Sequence, residues 1–206
     1  MLKQIEKTIK EYSLDINDDS INLLSEFAKE ILDKNQKINL ISKSDEKNII
    51  ERHIIDSAMV LKSGFISEKI NNIIDIGSGA GFPGAVIGII YPEIKITLCE
   101  QREKKAMFLI WIKQKLKLDN IEILNKRIDK KNQLKYDMVT QRAAAQFEEI
   151  YPIAYSLLNE NGTFVSWMSE KDITKIKDDK KPDFIYNYYL KDGIKRSLGL
   201  WRKKDF

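Results

Sequence analysis

With 206 residues and 43% hydrophobic content, the chain can bury one sizeable core with a small appended part. Its single cysteine, Cys99, excludes an intramolecular disulfide and a cysteine-rich zinc site. The longest apolar runs, such as Ala85–Tyr91, are far shorter than a membrane span, so the expectation is a cytoplasmic protein with no membrane partner and no structural metal. The net charge of +4 is unevenly spread, for residues 101–135 hold eleven Lys/Arg against four Asp/Glu and residues 191–206 hold six against two, which makes both segments candidates for a nucleic-acid face.

Residues 1–63 read as helical. Ile21, Leu24, Phe27, Ala28, Ile31 and Leu32 follow the three-and-four spacing of one buried face, and Asp18-Asp19-Ser20 stands where an N-cap would. A second helical stretch over 49–61 stops near Ser63-Gly64. From Asn72 onward, short β-branched runs alternate with amphipathic segments. Strands are expected over 73–76, 94–99, 121–125, 136–140 and 163–167, with helices over 85–90, 104–116 and 148–158, the last stopped at Asn161-Gly162. Residues 177–182 read as a mobile loop. The runs 184–190 and 197–201, separated by Lys-Asp-Gly, can pair as an antiparallel hairpin. The expected fold is therefore α/β, with a Rossmann-like sheet, mostly parallel but ending in that hairpin, and helices on both faces. The helical extension 1–63 packs on a core of residues 64–206.

Residues 73–84, Ile-Ile-Asp-Ile-Gly-Ser-Gly-Ala-Gly-Phe-Pro-Gly, carry an apolar strand straight into four glycines within eight positions. Without a Cβ the backbone takes positive φ and approaches a ligand closely, and Pro83 suits the first turn of a following helix. Gly79-Ala-Gly-Phe-Pro-Gly84 matches the dinucleotide fingerprint literally, which would suit an NAD-dependent oxidoreductase. That match starts two residues late, because Gly77 already holds the place directly after the strand. In the register Asp75-Ile-Gly77-Ser-Gly79-Ala-Gly81, the loop resembles the first motif of class I S-adenosylmethionine-dependent methyltransferases. Such a ligand has no phosphate but carries a carboxylate, an ammonium and a sulfonium. Asp75 can balance its positive groups, directly or through water, while loop N–H groups, including those of Ser78 and Gly79, meet its carboxylate. Glu100 follows the second strand, 23 positions after Gly77, where an acidic side chain accepts hydrogen bonds from ribose hydroxyls.

Further segments together resemble the ribosomal RNA small subunit methyltransferase G family, also called glucose-inhibited division protein B. They are Asn39-Leu-Ile-Ser42, Arg52-His-Ile-Ile-Asp-Ser57, Asp75 to Gly84, Leu116-Lys-Leu-Asp-Asn-Ile-Glu122, Arg127-Ile-Asp129 and Arg142-Ala143. The resemblance implies methyl transfer from S-adenosylmethionine to N7 of a guanine in 16S ribosomal RNA near the decoding centre. The substrate would be the RNA or the 30S subunit. It also implies cofactor binding at Gly77, Phe82, Ile128, Asp129 and Arg142. After the fifth strand, Leu-Lys-Gly is expected and Trp167-Met-Ser-Glu-Lys171 stands instead, with Lys171 two places late.

Guanine N7 has a lone pair and no proton, so the reaction needs positioning rather than a general base. His53, the only histidine, and Arg52 either line the RNA or cofactor cleft or serve packing and an ordinary i,i+4 pair between Arg52 and Asp56. Arg142 reads as a cofactor or RNA contact, or as a salt bridge. Cys99 reads as core, and packing is the leading role for Trp111, Trp167 and Trp201. Lysine outnumbers arginine 29 to 6, so coding bias competes with RNA binding as the origin of the basic segments. A non-catalytic RNA-binding protein on the same fold is the remaining alternative.

Overall fold

The computed structural model describes residues 1–142 and 146–203. Ala143 of the Arg142-Ala143 match lies outside them. Helices α1 (Leu2–Glu11) and α2 (Asp18–Ile38) open the chain. Ile21, Leu24, Phe27, Ala28 and Ile31 all face inward, as their spacing predicts. The cap of α2 is one residue earlier than expected, because Asn17 accepts the Ser20 N–H at 2.8 Å. Ser20 is buried instead, and its hydroxyl donates to the Ile89 carbonyl at 2.9 Å. A short α3 (Lys43–Glu46) leads to a π-helical turn (Ile50–Ile55), then α4 (Asp56–Ala58) and α5 (Val60–Ser63). Gly64 ends this run at φ 68°, a left-handed stop.

Strands β1 (Asn72–Ile76), β2 (Lys95–Cys99), β3 (Ile121–Leu124), β4 (Tyr136–Arg142), β5 (Leu158–Ser169), β6 (Phe184–Tyr189) and β7 (Lys195–Arg202) form one sheet in the order β3-β2-β1-β4-β5-β7-β6. The first five are parallel, while β7 runs antiparallel to both β5 and β6, so the late hairpin forms and inserts its second strand beside β5. Between the strands lie α6 (Gly84–Ile90), α7 (Glu103–Leu116) and α8 (Phe147–Leu157); α9 (Glu170–Thr174) follows β5. Side-chain alternation along β1 divides the core. Ile73 joins the apolar cluster shared with α1, α2, α6 and α7, whereas Ile74 and Ile76 join that of α8.

One boundary differs clearly. β5 starts at Leu158, directly after α8, rather than at Thr163. Asn161 takes φ 61°, and pairing with β4 shifts from Tyr136↔Leu158 to Met138↔Thr163, so Asn161-Gly162 makes an irregularity within the strand instead of stopping the helix. The segment 177–182 contains a 3₁₀ turn, Asp178–Lys180, whose Lys180 carbonyl accepts the Trp201 indole N–H at 2.8 Å. No helix of the described residues is long and apolar enough to cross a membrane.

Candidate active site

The glycine loop sits at the carboxyl end of β1, where open α/β sheets bind ligands. Gly77, Gly79 and Gly81 take φ of 70°, 58° and 101°. The loop is strapped to β2 by the N–H groups of Gly77 and Ser78, which donate to the Cys99 carbonyl at 2.8 and 3.1 Å. Asp75 does not face the cleft as expected. It is wholly buried, and its carboxylate accepts the Gly84 N–H at 3.1 Å and the Thr140 hydroxyl at 3.0 Å. Burial raises its pKa to about 6. Asp75 thus fixes the loop against α6 and β4. Ser78 also turns inward, its hydroxyl donating to the Asp75 carbonyl at 2.9 Å.

Two cavities meet at this loop, and Gly77, Gly79 and Lys105 line both. The first, about 640 Å³, is walled by Ile76, Ile128, Ile150 and Ile153 and by Glu100. Glu100 is 6% exposed, and its carboxylate accepts the Gly79 N–H at 2.9 Å and the Arg102 N–H at 2.7 Å. Both oxygens are thereby aimed while keeping lone pairs for a further donor. The aliphatic wall with the fixed Glu100 carboxylate suits an adenosine, so these residues fit the nucleoside half of S-adenosylmethionine, while Arg102, Lys105, Lys126 and Arg127 also line the cavity. Cys99 is core and lines the same wall, and burial pushes its thiol up to about 11. Asp129 is exposed beside Ile128, accepts the Lys131 N–H at 2.8 Å and does not line the cavity.

The second cavity, about 410 Å³, holds Arg52, His53, Phe82 and Arg142. Phe82 stacks on His53 with ring centroids 4.8 Å apart. Arg142, 11% exposed, donates to the Asp56 carboxylate and the Arg52 carbonyl at 3.0 Å each, and lies 2.7 Å from His53 Nδ1. Arginine cannot accept, so Nδ1 accepts and the imidazole proton sits on Nε2. Burial, with the Arg142 charge, lowers the His53 pKa to about 3 and keeps the ring neutral. Asp56 also receives Arg196 Nε at 3.1 Å and the Tyr188 hydroxyl at 2.7 Å. Burial opposes its ionisation, but Arg196 and Arg142 prevail and hold its pKa below the ordinary range.

The structure therefore divides the expected site residues. Gly77, Gly79, Glu100 and Ile128 border the first cavity, whereas Ser78, Phe82, Arg142, Arg52 and His53 border the second. Arg142 is a buried bridge rather than a surface one. The expected Arg52–Asp56 pair does not form: Asp56 points into the core, and Arg52 reaches outward to Asp45 at 3.1 Å and Asp192 at 2.9 Å. Lys171 lies exposed on α9 and lines neither cavity. Trp167 and Trp201 are buried, the former donating its indole N–H to the Asp56 carbonyl at 2.8 Å. Sequence reasoning missed Asp45, Lys105, Tyr188 and Arg196. For Lys105 and Arg196 the basic segments were a partial signal, while nothing local marks Asp45 or Tyr188.

The sequence profile described as rRNA small subunit methyltransferase G matches residues 20–188. A Mycoplasma capricolum protein named ribosomal RNA small subunit methyltransferase G is 38% identical over 177 residues, 85% of this chain and 76% of that protein. Among solved structures, a methyltransferase from Pyrococcus furiosus superposes with a TM-score of 0.58 at 17% identity, covering 74% of this chain and 83% of that one. An RNA methyltransferase from Salinibacter ruber, solved with S-adenosyl-L-homocysteine, gives 0.55 at 13% identity, with 73% and 91% covered.

Proposed function

The chain belongs to the rRNA small subunit methyltransferase G family, and from that premise we propose that its two cavities divide the work of methyl transfer. It is an S-adenosylmethionine-dependent enzyme that methylates N7 of a guanosine in 16S ribosomal RNA. The observation that carries the division is the meeting of the two cavities at Gly77 and Gly79. An aliphatic, carboxylate-bearing pocket lies on one side of the loop, and one walled by His53, Phe82 and three arginines lies on the other.

In this reading Glu100 accepts from the ribose, Ile128 packs on the adenine, and the amino-acid end lies along the loop backbone at Gly77 and Gly79, which border both cavities. When bound, S-adenosylmethionine supplies an electrophilic methyl group on a sulfonium. The neighbouring pocket presents the guanine, with Phe82 as a flat wall and Arg142 fixing the π-helical turn that carries Arg52 and His53. No side chain acts as a base, because N7 has no proton to lose. The chain's contribution is orientation, which converts the transfer into an effectively unimolecular step. The substrate is 16S ribosomal RNA, free or within the 30S subunit, presenting its decoding-centre loop in the cytoplasm. The helical part, 1–63, supplies the outer wall of the guanine pocket from its Leu40–Asp56 stretch.

Labelled S-adenosylmethionine given with naked 16S RNA and with 30S subunits tests the reading. Label on one guanine N7, in the RNA, the particle or both, is the expected result. Label on another atom, or none with either substrate, overturns it; the latter would leave a non-catalytic RNA-binding protein.

A further inference from the structure

Methylation at N7 requires the imidazole edge of the guanine to face the donor, so the O6 and N1–H edge is left for the walls of the second cavity. Those walls hold two carboxylates, and they differ. Asp56 is 1% exposed and saturated by Arg142, Arg196 and Tyr188. Asp45 is 25% exposed at the side chain and lines the cavity. Its position is set locally: the Ser42 hydroxyl donates to Oδ2 at 2.7 Å, Arg52 Nη1 donates to Oδ1 at 3.1 Å, and the Asp45 N–H returns to Ser42 Oγ at 3.2 Å. Arg52 is steadied in turn by Asp192. Burial works against the charge, but the Ser42 and Arg52 hydrogen bonds outweigh it and hold the Asp45 pKa below the ordinary carboxylate range.

Behind this acceptor, His53 Nε2 lies 3.7 Å from Asp45 Oδ2, is itself buried and has no hydrogen-bond partner among the described residues. Because Arg142 occupies Nδ1, the proton is on Nε2 and the ring cannot reverse its role without losing that bond. The cavity therefore carries one charged acceptor, Asp45, pre-set by the residues behind it.

We propose that Asp45 accepts the N1–H of the target guanine and makes the site selective for guanine over other purines. Guanine offers a donor at N1, matching Asp45. Adenine offers an acceptor at N1, so the contact becomes repulsive. A second consequence concerns the reaction. The ring gains positive charge as N7 is alkylated, and its N1–H becomes a stronger donor, so the bond to Asp45 tightens in the transition state. The assignment rests on N7 of guanine being the methylated atom.

The test compares 30S subunits carrying guanosine with subunits reconstituted with N1-methylguanosine or 2-aminopurine riboside at the target position, all of which keep N7. The wild-type enzyme should lose on the order of 100-fold or more in kcat/KM on both analogues, the size seen when a site built to bond a polar group meets one that lacks it. Asp45→Asn should lose about as much on guanosine and little further on the analogues, so that discrimination collapses, while S-adenosylmethionine affinity by calorimetry stays within about twofold. A carboxylate that only shaped the fold would lower all three substrates in proportion. Discrimination preserved in Asp45→Asn, or efficient wild-type turnover of N1-methylguanosine, overturns the assignment. Wild-type methylation of the guanosine substrate in the same assay stands as the separate check on the N7 reading.

Discussion

At the scale of single residues, the two site carboxylates nearest the loop do opposite jobs. Asp75 is enclosed and holds Gly84 and Thr140, whereas Glu100 borders the first cavity with a lone pair to spare on each oxygen. Glu100→Ala removes a charged acceptor, worth about 1.5–3 kcal/mol, so S-adenosylmethionine should bind roughly 10- to 100-fold more weakly by calorimetry, and an unchanged dissociation constant would show that the ribose contact is not made. His53 sets a pH dependence. Its pKa falls from 6.5 when unfolded to about 3 when folded, so the unfolded chain binds the extra proton between those values. The stability it contributes is complete above pH 6.5 and is lost as pH falls toward 3. Asp75, raised to about 6, acts the other way, contributing stability at low pH that is lost as pH rises through 6. Thermal melts of His53→Gln across pH 4–7 should therefore decline less on the acid side than wild type; parallel curves would contradict the assignment.

At the scale of elements, the glycine loop and the sheet were legible because each depends on local chemistry. Positive φ needs glycine, and parallel strands buried on both faces read as continuous β-branched runs. Gly84 adds a packing reason: a Cβ there would come within 2.4 Å of Leu98 Cδ2 and 2.7 Å of Asp75 Cβ. Gly84→Ala should cost about 1–3 kcal/mol in urea unfolding, as overpacking a tight contact does, and should weaken cofactor binding as the loop shifts. Unfolding at the wild-type midpoint would mean that α6 and β1 separate more readily than their contact implies. What was not legible is how the π-helical turn at 50–55 is used. Sequence spacing paired Arg52 with Asp56 along one helix. The fold instead sends Asp56 inward to Arg142 on β4 and Arg196 on β7, and Arg52 outward to Asp45 and to Asp192 beyond β6. Those partners lie up to 140 positions away in the chain, beyond the reach of any periodicity. The irregular start of β5 was hidden for a related reason, since Asn161-Gly162 reads as a stop signal whether it ends a helix or bulges a strand.

For the whole molecule, the modest charge of +4 conceals how its cations are placed. A minority of the lysines and arginines form ion pairs among the described residues, such as Lys115 with Glu30, Arg142 and Arg196 with Asp56, and Lys195 with Glu170. Arg102, Lys126 and Arg127 are three of the others. They are exposed, form no ion pair among the described residues, and stand together on the wall of the first cavity at the carboxyl edge of β2 and β3. That grouping beside the cleft singles the three out as the cations with which to test RNA contact by the 101–135 segment. Each phosphate they neutralise on single-stranded RNA contributes about −0.7 to the slope of log K against log salt, so three contacts give about −2. Measured affinity for an RNA fragment carrying the target loop should follow that slope or a steeper one. Replacing all three cations by glutamine should flatten it by about 2 while leaving S-adenosylmethionine binding within a few-fold of wild type. A slope unaltered by the triple substitution would place the RNA backbone elsewhere, toward the 191–203 segment and its Arg202 and Lys203.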